Sequence, residues 1–319
     1  MIAFSTLLSS VLMFALLIVP GFLLGKCKKI DHNSLESMTN ILMYVAMPFL
    51  VFVKLLRTDL QSISYTDILL CAIFPAFAIF SVFFLSSLCF REKGEANRYR
   101  AGRFCSVFSN CGFLGIPLAE VLFPDCPEVA VYVSLFNVVN TFLLLTFGVY
   151  VLSGDRRDIS LRRAVLSPIM ASILLGVIFS VLGVADLIPQ VVTYADILAA
   201  LTTPLSMIVL GVQLAGLPIR TLVTTPTLYL TALFKLVVAP LSTVLLLLVL
   251  QLCGFPLSTP LMAGLFIATA VSSAASASAM AKKYGVDGEY AAILTLGTTI
   301  LCAVSLPLLY MLSAVILGW

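Results

Sequence analysis

The sequence predicts an all-α membrane protein with ten transmembrane helices, arranged as two inverted five-helix repeats. Three observations lead to this prediction: the composition, ten apolar segments of membrane-spanning length, and basic residues concentrated on one side. Of the 319 residues, 61% are hydrophobic and 10% are charged, whereas soluble domains are about 45–50% apolar and about 25% charged. A water-soluble fold cannot bury so much apolar surface, so most of the chain must face lipid.

The ten apolar segments are each long enough to cross a hydrocarbon layer of ~30 Å at about 1.5 Å per residue. Lipid offers the backbone no hydrogen-bond partner, so each span must be a helix. The first segment lacks the basic start of a signal peptide, so we expect it to be retained. No soluble domain is expected between the spans. The segments are 5–25, 38–54, 68–90, 103–123, 129–152, 166–185, 190–215, 227–252, 258–281 and 289–316.

The basic residues predict the orientation. Of the 18 lysines and arginines, two (Lys54 and Arg57) fall on one side of the membrane and Lys235 lies within a span. Cytoplasmic loops are enriched in Lys and Arg, so the crowded side is cytoplasmic and both termini are expected on the outer side. The fifteen basic residues of the crowded side are Lys26, Lys28, Lys29, Arg91, Lys93, Arg98, Arg100, Arg103, Arg156, Arg157, Arg162, Arg163, Arg220, Lys282 and Lys283.

The two halves of the chain, 1–152 and 153–319, share features. An offset of 161 residues aligns the starts of the fifth and tenth spans and places Asn137 opposite Thr298. Each half has an odd number of spans, so the halves must be inverted relative to each other, as in many secondary transporters. Further matching positions are Pro75 with Pro240 and Glu128 with Glu289.

The fourth span carries the strongest local signal, a run from Asn110 to Leu118 that includes Gly112, Gly115 and Pro117. Proline lacks an N–H and clashes with the preceding turn, and glycine tolerates unusual dihedral angles. We therefore expect a broken helix, with a half-helix beginning near Pro117. Its N-terminal end would attract an anion at mid-membrane, with Asn110 as a further donor. The alternative is a simple kink that aids packing.

The ninth span is rich in small hydroxyl residues, including Ser272, Ser273 and Ser276. Such hydroxyls can satisfy backbone groups freed by a broken helix, and small side chains also let helices approach closely. The stretch is therefore either the second half of a binding site or a packing face.

Asn137 and Asn140 lie three residues apart in the fifth span and so share a helix face. An amide in lipid needs partners. Asn137 and Thr298 are predicted to shape a pocket. Hydrogen bonds between helices are the alternative for both residues.

Two charges near or within spans have two interpretations each. Glu120 is either an interfacial residue or a protonatable coupling group. Lys235 either extends to the cytoplasmic interface or provides a counter-charge for an anionic substrate. No metal-ligand spacing, nucleotide motif or catalytic pair is present, so no cofactor and no enzymatic activity are expected.

The run Asn110–Leu118 resembles the signature of the auxin efflux carrier family, which includes plant PIN proteins and bacterial malate or malonate permease-like members. Three further segments are similar in the right order, so the resemblance covers nearly the whole chain. Ser272 stands where the family usually has a proline in the ninth span. The further segments are Thr203–Gly211, Ala281–Asp287 and Thr298–Leu308.

The resemblance implies that broken helices four and nine cross each other. It also implies an elevator-like motion, in which helices 3–5 and 8–10 move against a scaffold of helices 1, 2, 6 and 7. Substrates of the family are small organic anions. The ninth-helix break depends on serines and alanines if it forms here without the proline.

These observations favour a secondary transporter of small carboxylates in the inner membrane of a bacterium. The expected partners are the organic anion and the bilayer, with a homodimer left open and no nucleic acid. Two alternatives remain. One is a sodium-coupled carrier of a bile-acid-like or other substrate on the same architecture, which sodium stimulation would distinguish. The other is a membrane sensor that transports nothing.

Overall fold

The computed structural model describes residues 4–57, 64–90, 96–159, 166, 168–183, 187–216, 221 and 224–318. Their backbone is helical apart from short turns, breaks and loops. The predicted cytoplasmic charges Arg91, Lys93, Arg162, Arg163 and Arg220 lie outside the described residues. The main helices are α1 (Phe4–Lys26), α2 (Ser34–Arg57), α3 (Tyr65–Cys89), α4 (Ala96–Val107), α5 (Cys111–Leu122), α6 (Pro127–Ser153), α7 (Pro168–Val181), α8 (Pro189–Ala215), α9 (Pro226–Leu252), α10 (Thr259–Ala270), α11 (Ala277–Lys283) and α12 (Gly288–Leu317).

Six of these helices are long and apolar enough to cross a membrane: α2, α3, α6, α8, α9 and α12. Four shorter apolar helices lie at the remaining predicted spans, namely the Leu16–Lys26 part of α1, α5, α7 and α10. Among the described residues there is no β-strand, only one isolated bridge. The chain is therefore an all-helical membrane protein, as predicted, while the count of ten spans and their inverted symmetry remain predictions.

The fourth and ninth predicted spans are both interrupted. The helical hydrogen bonding stops at residues 108–110, between α4 and α5, and at 271–276, between α10 and α11. The first break lies upstream of the expected position, because α5 already begins at Cys111 and Pro117 lies inside it. A proline lacks its own N–H and clashes with the carbonyl four residues back, which for Pro117 is that of Phe113, within α5 and after the break. Pro117 therefore does not cause the break.

Helices α1, α2, α7 and α8 form one group of contacts. Gly21 of α1 and Gly211 of α8 allow the two backbones to touch: a Cβ on Gly21 would lie 2.2 Å from the carbonyl oxygen of Ile208. Aromatic rings join α2 to its neighbours, with Phe52 5.6 Å from Phe179 of α7. Close backbone approach at glycine is typical of membrane helix pairs.

The other helices pack around α10, whose residues from Leu261 to Ala270 are all buried. Helices α3, α5, α6, α9 and α12 contact it directly, and α4 and α11 complete this second group. A helix that is apolar on all sides belongs in the interior of a protein or bundle, so α10 forms the centre. Outer faces carry exposed apolar side chains such as Phe84 and Leu174, as expected for contact with lipid.

Four helices contain a π-helical turn, in which one extra residue widens the turn and the hydrogen bonds join residues five apart. Such turns are rare and often occur at functional sites. Here they lie in α2, α5, α6 and α9, and each contributes residues to the region where the two broken helices meet. The turns are Leu42–Ala46, Cys111–Gly115, Leu144–Gly148 and Leu233–Val238.

Candidate functional site

The two helix breaks pair with each other through their backbones. The N–H of Asn110 donates to the carbonyl of Ser272 at 2.9 Å, and the N–H of Ala274 donates to the carbonyl of Phe108 at 2.9 Å. This forms a single antiparallel bridge in the middle of the protein. Backbone groups freed by a broken helix must find protein partners in a membrane. Each break supplies partners for the other, so the ninth span breaks here without the family's proline.

Two polar side chains hold the central serines of this crossing. Asn140 of α6 donates from Nδ2 to the carbonyl of Ser109 at 3.2 Å, and its Oδ1 accepts from the Ser109 N–H at 3.5 Å. Thr298 of α12 accepts from the N–H of Ser273 at 3.2 Å. Thr298 binds the backbone of the broken ninth span, and in the first half of the chain Asn140 makes the equivalent contact with the broken fourth span. The sequence comparison places Asn137, and not Asn140, opposite Thr298.

A cavity of about 820 Å³ lies beside the crossing. Its wall contains amides, hydroxyls and many apolar side chains, and none of the described residues that line it is charged. Within the described residues no group of three His, Cys, Asp or Glu side chains could hold a metal ion. The lining residues are Met43, Tyr44, Met47, Ser109, Asn110, Gly112, Phe113, Asn137, Asn140, Thr141, Leu144, Leu145, Leu166, Pro168, Ile169, Ala274, Ala275, Ser276 and Met280.

Two amides on the cavity wall have no protein partner. Asn110 is 2% exposed, and both its Nδ2 and its Oδ1 lack a hydrogen bond. Asn137 is 4% exposed and its side chain also makes no hydrogen bond in the described part of the chain. An unsatisfied buried polar group costs about 1–3 kcal/mol. The buried amide of Asn110 carries this cost on the cavity wall, which indicates a group that awaits a ligand or water.

Two helices begin at this wall. Asn110 precedes α5 and Ser276 precedes α11, and neither side chain caps the backbone N–H groups of the helix it precedes. The first N–H groups of a helix have no intrahelical acceptors and attract negative charge. Together with the free amides they offer hydrogen-bond donors to an anion.

Four of the predicted site residues therefore line the cavity: Asn110, Gly112, Asn137 and Ser276. Gly112 matters for space, because a Cβ there would lie 2.3 Å from Cε of Met47 and 3.4 Å from Nδ2 of Asn137. The glycine keeps this part of the wall open.

Three predicted residues belong instead to the crossing itself. Ser273 donates from Oγ to the carbonyl of Cys105 at 2.6 Å and receives a hydrogen bond from the Thr298 hydroxyl at 3.0 Å. Ser272 accepts from the hydroxyl of Thr299 at 3.1 Å. The side chains of Ser272, Ser273 and Thr298 thus hold the backbone of the crossing in place, and they do not line the cavity.

Gly115 and Pro117 also lie away from the cavity, within α5. A Cβ on Gly115 would lie 3.3 Å from Cγ1 of Val133, so this glycine serves helix packing. Glu120, near the end of α5, forms an ion pair with Lys54 of α2 at 2.7 Å. This contact is far from the crossing along α5, so it does not place Glu120 at the cavity.

Lys235 does not extend to the interface. Its side chain is 1% exposed, and Nζ donates to Oγ of Ser109 and to the carbonyl oxygen of Thr269, the latter at 3.1 Å. Of the two interpretations of Lys235, the interfacial one is therefore wrong, and the counter-charge for an anionic substrate stays a prediction. Lys235 lies behind the cavity wall, one hydroxyl group away from it.

Several lining residues were not singled out from the sequence, including Ser109, Thr141 and Tyr44. A signal for some of them exists in α6, since positions 137, 140, 141 and 144 follow the spacing of one helix face. Tyr44 gives no such signal, because only the packing of α2 against the crossing brings it to the cavity.

Comparisons with known proteins agree on the class. A family model described as membrane transport protein matches residues 6–159 and 156–310. A protein of Methanothermobacter thermautotrophicus named "Uncharacterized transporter" is 26% identical over 302 residues, covering 94% of this chain and 96% of the relative. A Rhizobium meliloti protein named "Putative malonate transporter" is 25% identical over 219 residues, covering 66% of this chain and 67% of the relative.

The match over both halves of the chain confirms the resemblance to auxin efflux carriers that the fourth span carries. It also agrees with an apolar, all-helical structure whose buried breaks flank a cavity, and the relatives are transporters and not enzymes. The chain belongs to the membrane transport protein family and is an integral membrane transporter.

Proposed function

We propose that this transporter carries small carboxylate anions by alternating access, with the anion bound at the helix crossing. One observation carries the proposal: the unpartnered amide of Asn110 on the cavity wall, at the start of α5. An amide N–H and a helix N-terminus suit an anion, and the described residues of the cavity lining include no carboxylate. The free carbonyl oxygen of the same amide suits a protonated carboxyl group or a hydroxyl.

The proposed architecture has ten spans in two inverted repeats, 1–152 and 153–319. The moving unit would comprise α3–α6 and α9–α12, and the scaffold α1, α2, α7 and α8. The position of the cavity supports this division, because its wall combines α2 and α7 with α5, α6 and α11. A binding site between two units is what an elevator-like motion requires. The two matched segments, which meet near residue 156, are consistent with the repeat.

The proposed setting is the inner membrane of a bacterium, with both termini on the outer side. In this orientation, the cavity lies on the cytoplasmic side of the crossing. Met280 and Pro168, near the predicted cytoplasmic ends of their helices, belong to its wall. The structure would then represent an inward-facing state.

Malonate is the first substrate to test, because the Rhizobium meliloti relative is named "Putative malonate transporter". The full chain would be reconstituted in proteoliposomes and uptake of labelled malonate compared for the wild type, Asn110→Ala and Asn97→Ala. Asn97 is exposed in α4 and serves as the matched control. Losing a hydrogen bond to a charged ligand costs about 1.5–3 kcal/mol, so we expect uptake by Asn110→Ala to fall by about 10-fold or more, with Asn97→Ala unchanged.

Two results would redirect the proposal. Wild-type rates in Asn110→Ala would remove the anion site from the crossing. Uptake of bile acids that requires sodium, with no uptake of malonate or other short carboxylates, would favour the sodium-coupled alternative.

A further inference from the structure

Lys235 presents an electrostatic problem that the anion site alone does not solve. Only two charged side chains are buried in the described residues, Lys235 and Asp67. Asp67 is distant in the structure, bound to Tyr132 and Ser258 near the start of α3. No carboxylate of a described residue pairs with Lys235. A buried ammonium without compensation is costly, so something else must balance it.

The compensation comes from the carbonyl end of α10. The last carbonyls of a helix have no intrahelical partners and together carry about half a negative charge. The carbonyl oxygen of Ala268 accepts a hydrogen bond from the Cys111 thiol at 3.2 Å, and that of Ala270 accepts one from the Cys302 thiol at 3.6 Å. Thiols are weak donors. The carbonyl of Thr269, between these two, receives the ammonium of Lys235 at 3.1 Å.

The Lys235 ammonium thus lies between a helix-end carbonyl and a hydroxyl oxygen at a break in the membrane. Carbonyls at the C-terminal ends of broken helices coordinate the coupling cation in many secondary transporters. The π-helical turn Leu233–Val238 positions the lysine to reach the carbonyl and the hydroxyl from α9. Here the protein's own side chain fills that position.

We propose that Lys235 is a tethered cation that takes the place of a coupling sodium ion at the crossing. The inference rests on the proposed carrier function and makes it more specific: transport would need no metal cation at this position. It also leaves the ammonium of Lys235 behind Ser109, whose hydroxyl accepts its hydrogen bond and which lines the cavity. The ammonium polarises that hydroxyl and so strengthens a hydrogen bond from it to an anion.

The test is thermal unfolding of the purified full chain in detergent, without substrate. Wild-type protein would be compared in sodium, potassium and choline chloride at equal ionic strength, and we expect the same midpoint in all three. Lys235→Met keeps the volume and removes the ammonium, and we expect its midpoint to fall by about 5 °C. Lys235→Ala should fall similarly and recover in sodium or methylammonium. The control Lys282→Ala, at an exposed position of α11, should change nothing.

Three outcomes would overturn the proposal: a wild type stabilised by sodium over choline, a Lys235→Met variant as stable as the wild type, or an alanine variant that neither sodium nor methylammonium restores. If the variants do not fold, the wild-type series in the three salts still decides. Because no substrate is present, the result is independent of which anion is carried, and its failure is distinguishable from a failure of malonate uptake.

Discussion

Asn137 and Asn140 lie one turn apart on the same face of α6, yet their surroundings differ. Asn140 binds both backbone groups of Ser109 in the broken span, whereas the Asn137 side chain faces the cavity without a partner. Identical chemistry therefore serves structure at one position and is available for a ligand at the other. The difference arises because the break at residues 108–110 places the backbone of Ser109 within hydrogen-bond distance of Asn140.

Exchanging each asparagine for leucine should separate these two roles. Asn140→Leu leaves the backbone N–H and C=O of Ser109 unpaired, at a cost of about 1–3 kcal/mol, so its unfolding midpoint should drop by several degrees. Asn137→Leu breaks no hydrogen bond and should unfold near the wild-type midpoint, but its uptake of substrate should be strongly reduced. Thermal unfolding and proteoliposome uptake of both variants provide the comparison. Equal loss of stability in the two variants would contradict the assignment.

At the residue scale the sequence predicts part of the site. The sequence predicts a binding site at polar mid-span residues and the glycines beside them, and three of these residues, Asn110, Gly112 and Asn137, line the cavity. Their binding of a substrate stays a prediction. The burial of Lys235 could not be predicted in this way. Its position near a helix end allows the ammonium to reach either the interface or the interior, and only the carbonyl end of α10 decides between them.

At the element scale, the broken helices show what a local pattern can and cannot predict. The sequence predicts two interrupted spans, and the structure contains interruptions in both. The sequence misplaces the first interruption, because the prediction relied on Pro117 whereas the break lies at residues 108–110. The interruption depends on pairing between two segments far apart in the chain, which no local propensity encodes.

This displacement makes Pro117→Ala a useful variant. Pro117 is buried in the first regular turn of α5 and does not line the cavity. Alanine is compatible with that turn, so the break should persist and the KM for substrate should stay within about twofold of the wild-type value. Uptake kinetics in proteoliposomes measure this. A large loss of substrate affinity would mean that the proline itself shapes the site, as the sequence first indicates.

At the scale of the whole molecule, native cysteines can report the proposed topology. Cys27, Cys89 and Cys253 are exposed and free. The basic loops predict Cys27 and Cys89 on the cytoplasmic side and Cys253 on the outer side. In intact cells a membrane-impermeant maleimide should therefore modify Cys253, and the other two only after permeabilisation. Variants that keep only one of these cysteines allow the labelling of each to be measured separately. Modification of Cys27 in intact cells would contradict the proposed orientation.

Two ion pairs at the predicted outer side provide a test of the motion itself. Lys54 of α2 pairs with Glu120 of α5, which joins the proposed scaffold to the proposed moving unit. Arg57 of α2 pairs with Asp196 of α8, which lies wholly within the scaffold. Solvent reaches the side chains of both pairs, those of Lys54 and Glu120 at 21% and 22% exposure. Solvent-accessible ion pairs contribute about 0–1 kcal/mol to stability, so we expect both replacements to leave the protein folded.

An elevator-like motion must separate Lys54 from Glu120 and leave Arg57 beside Asp196. Lys54→Cys with Glu120→Cys, joined by a short thiol-reactive linker in a background without exposed native cysteines, should therefore stop uptake, and reduction of the linker should restore it. Arg57→Cys with Asp196→Cys, joined in the same way, should transport at the rate of the uncrosslinked variant. Both double variants can be assayed in one proteoliposome preparation before and after reduction. If the first crosslink leaves uptake intact, α5 does not move against α2, and the division into scaffold and moving unit must be redrawn.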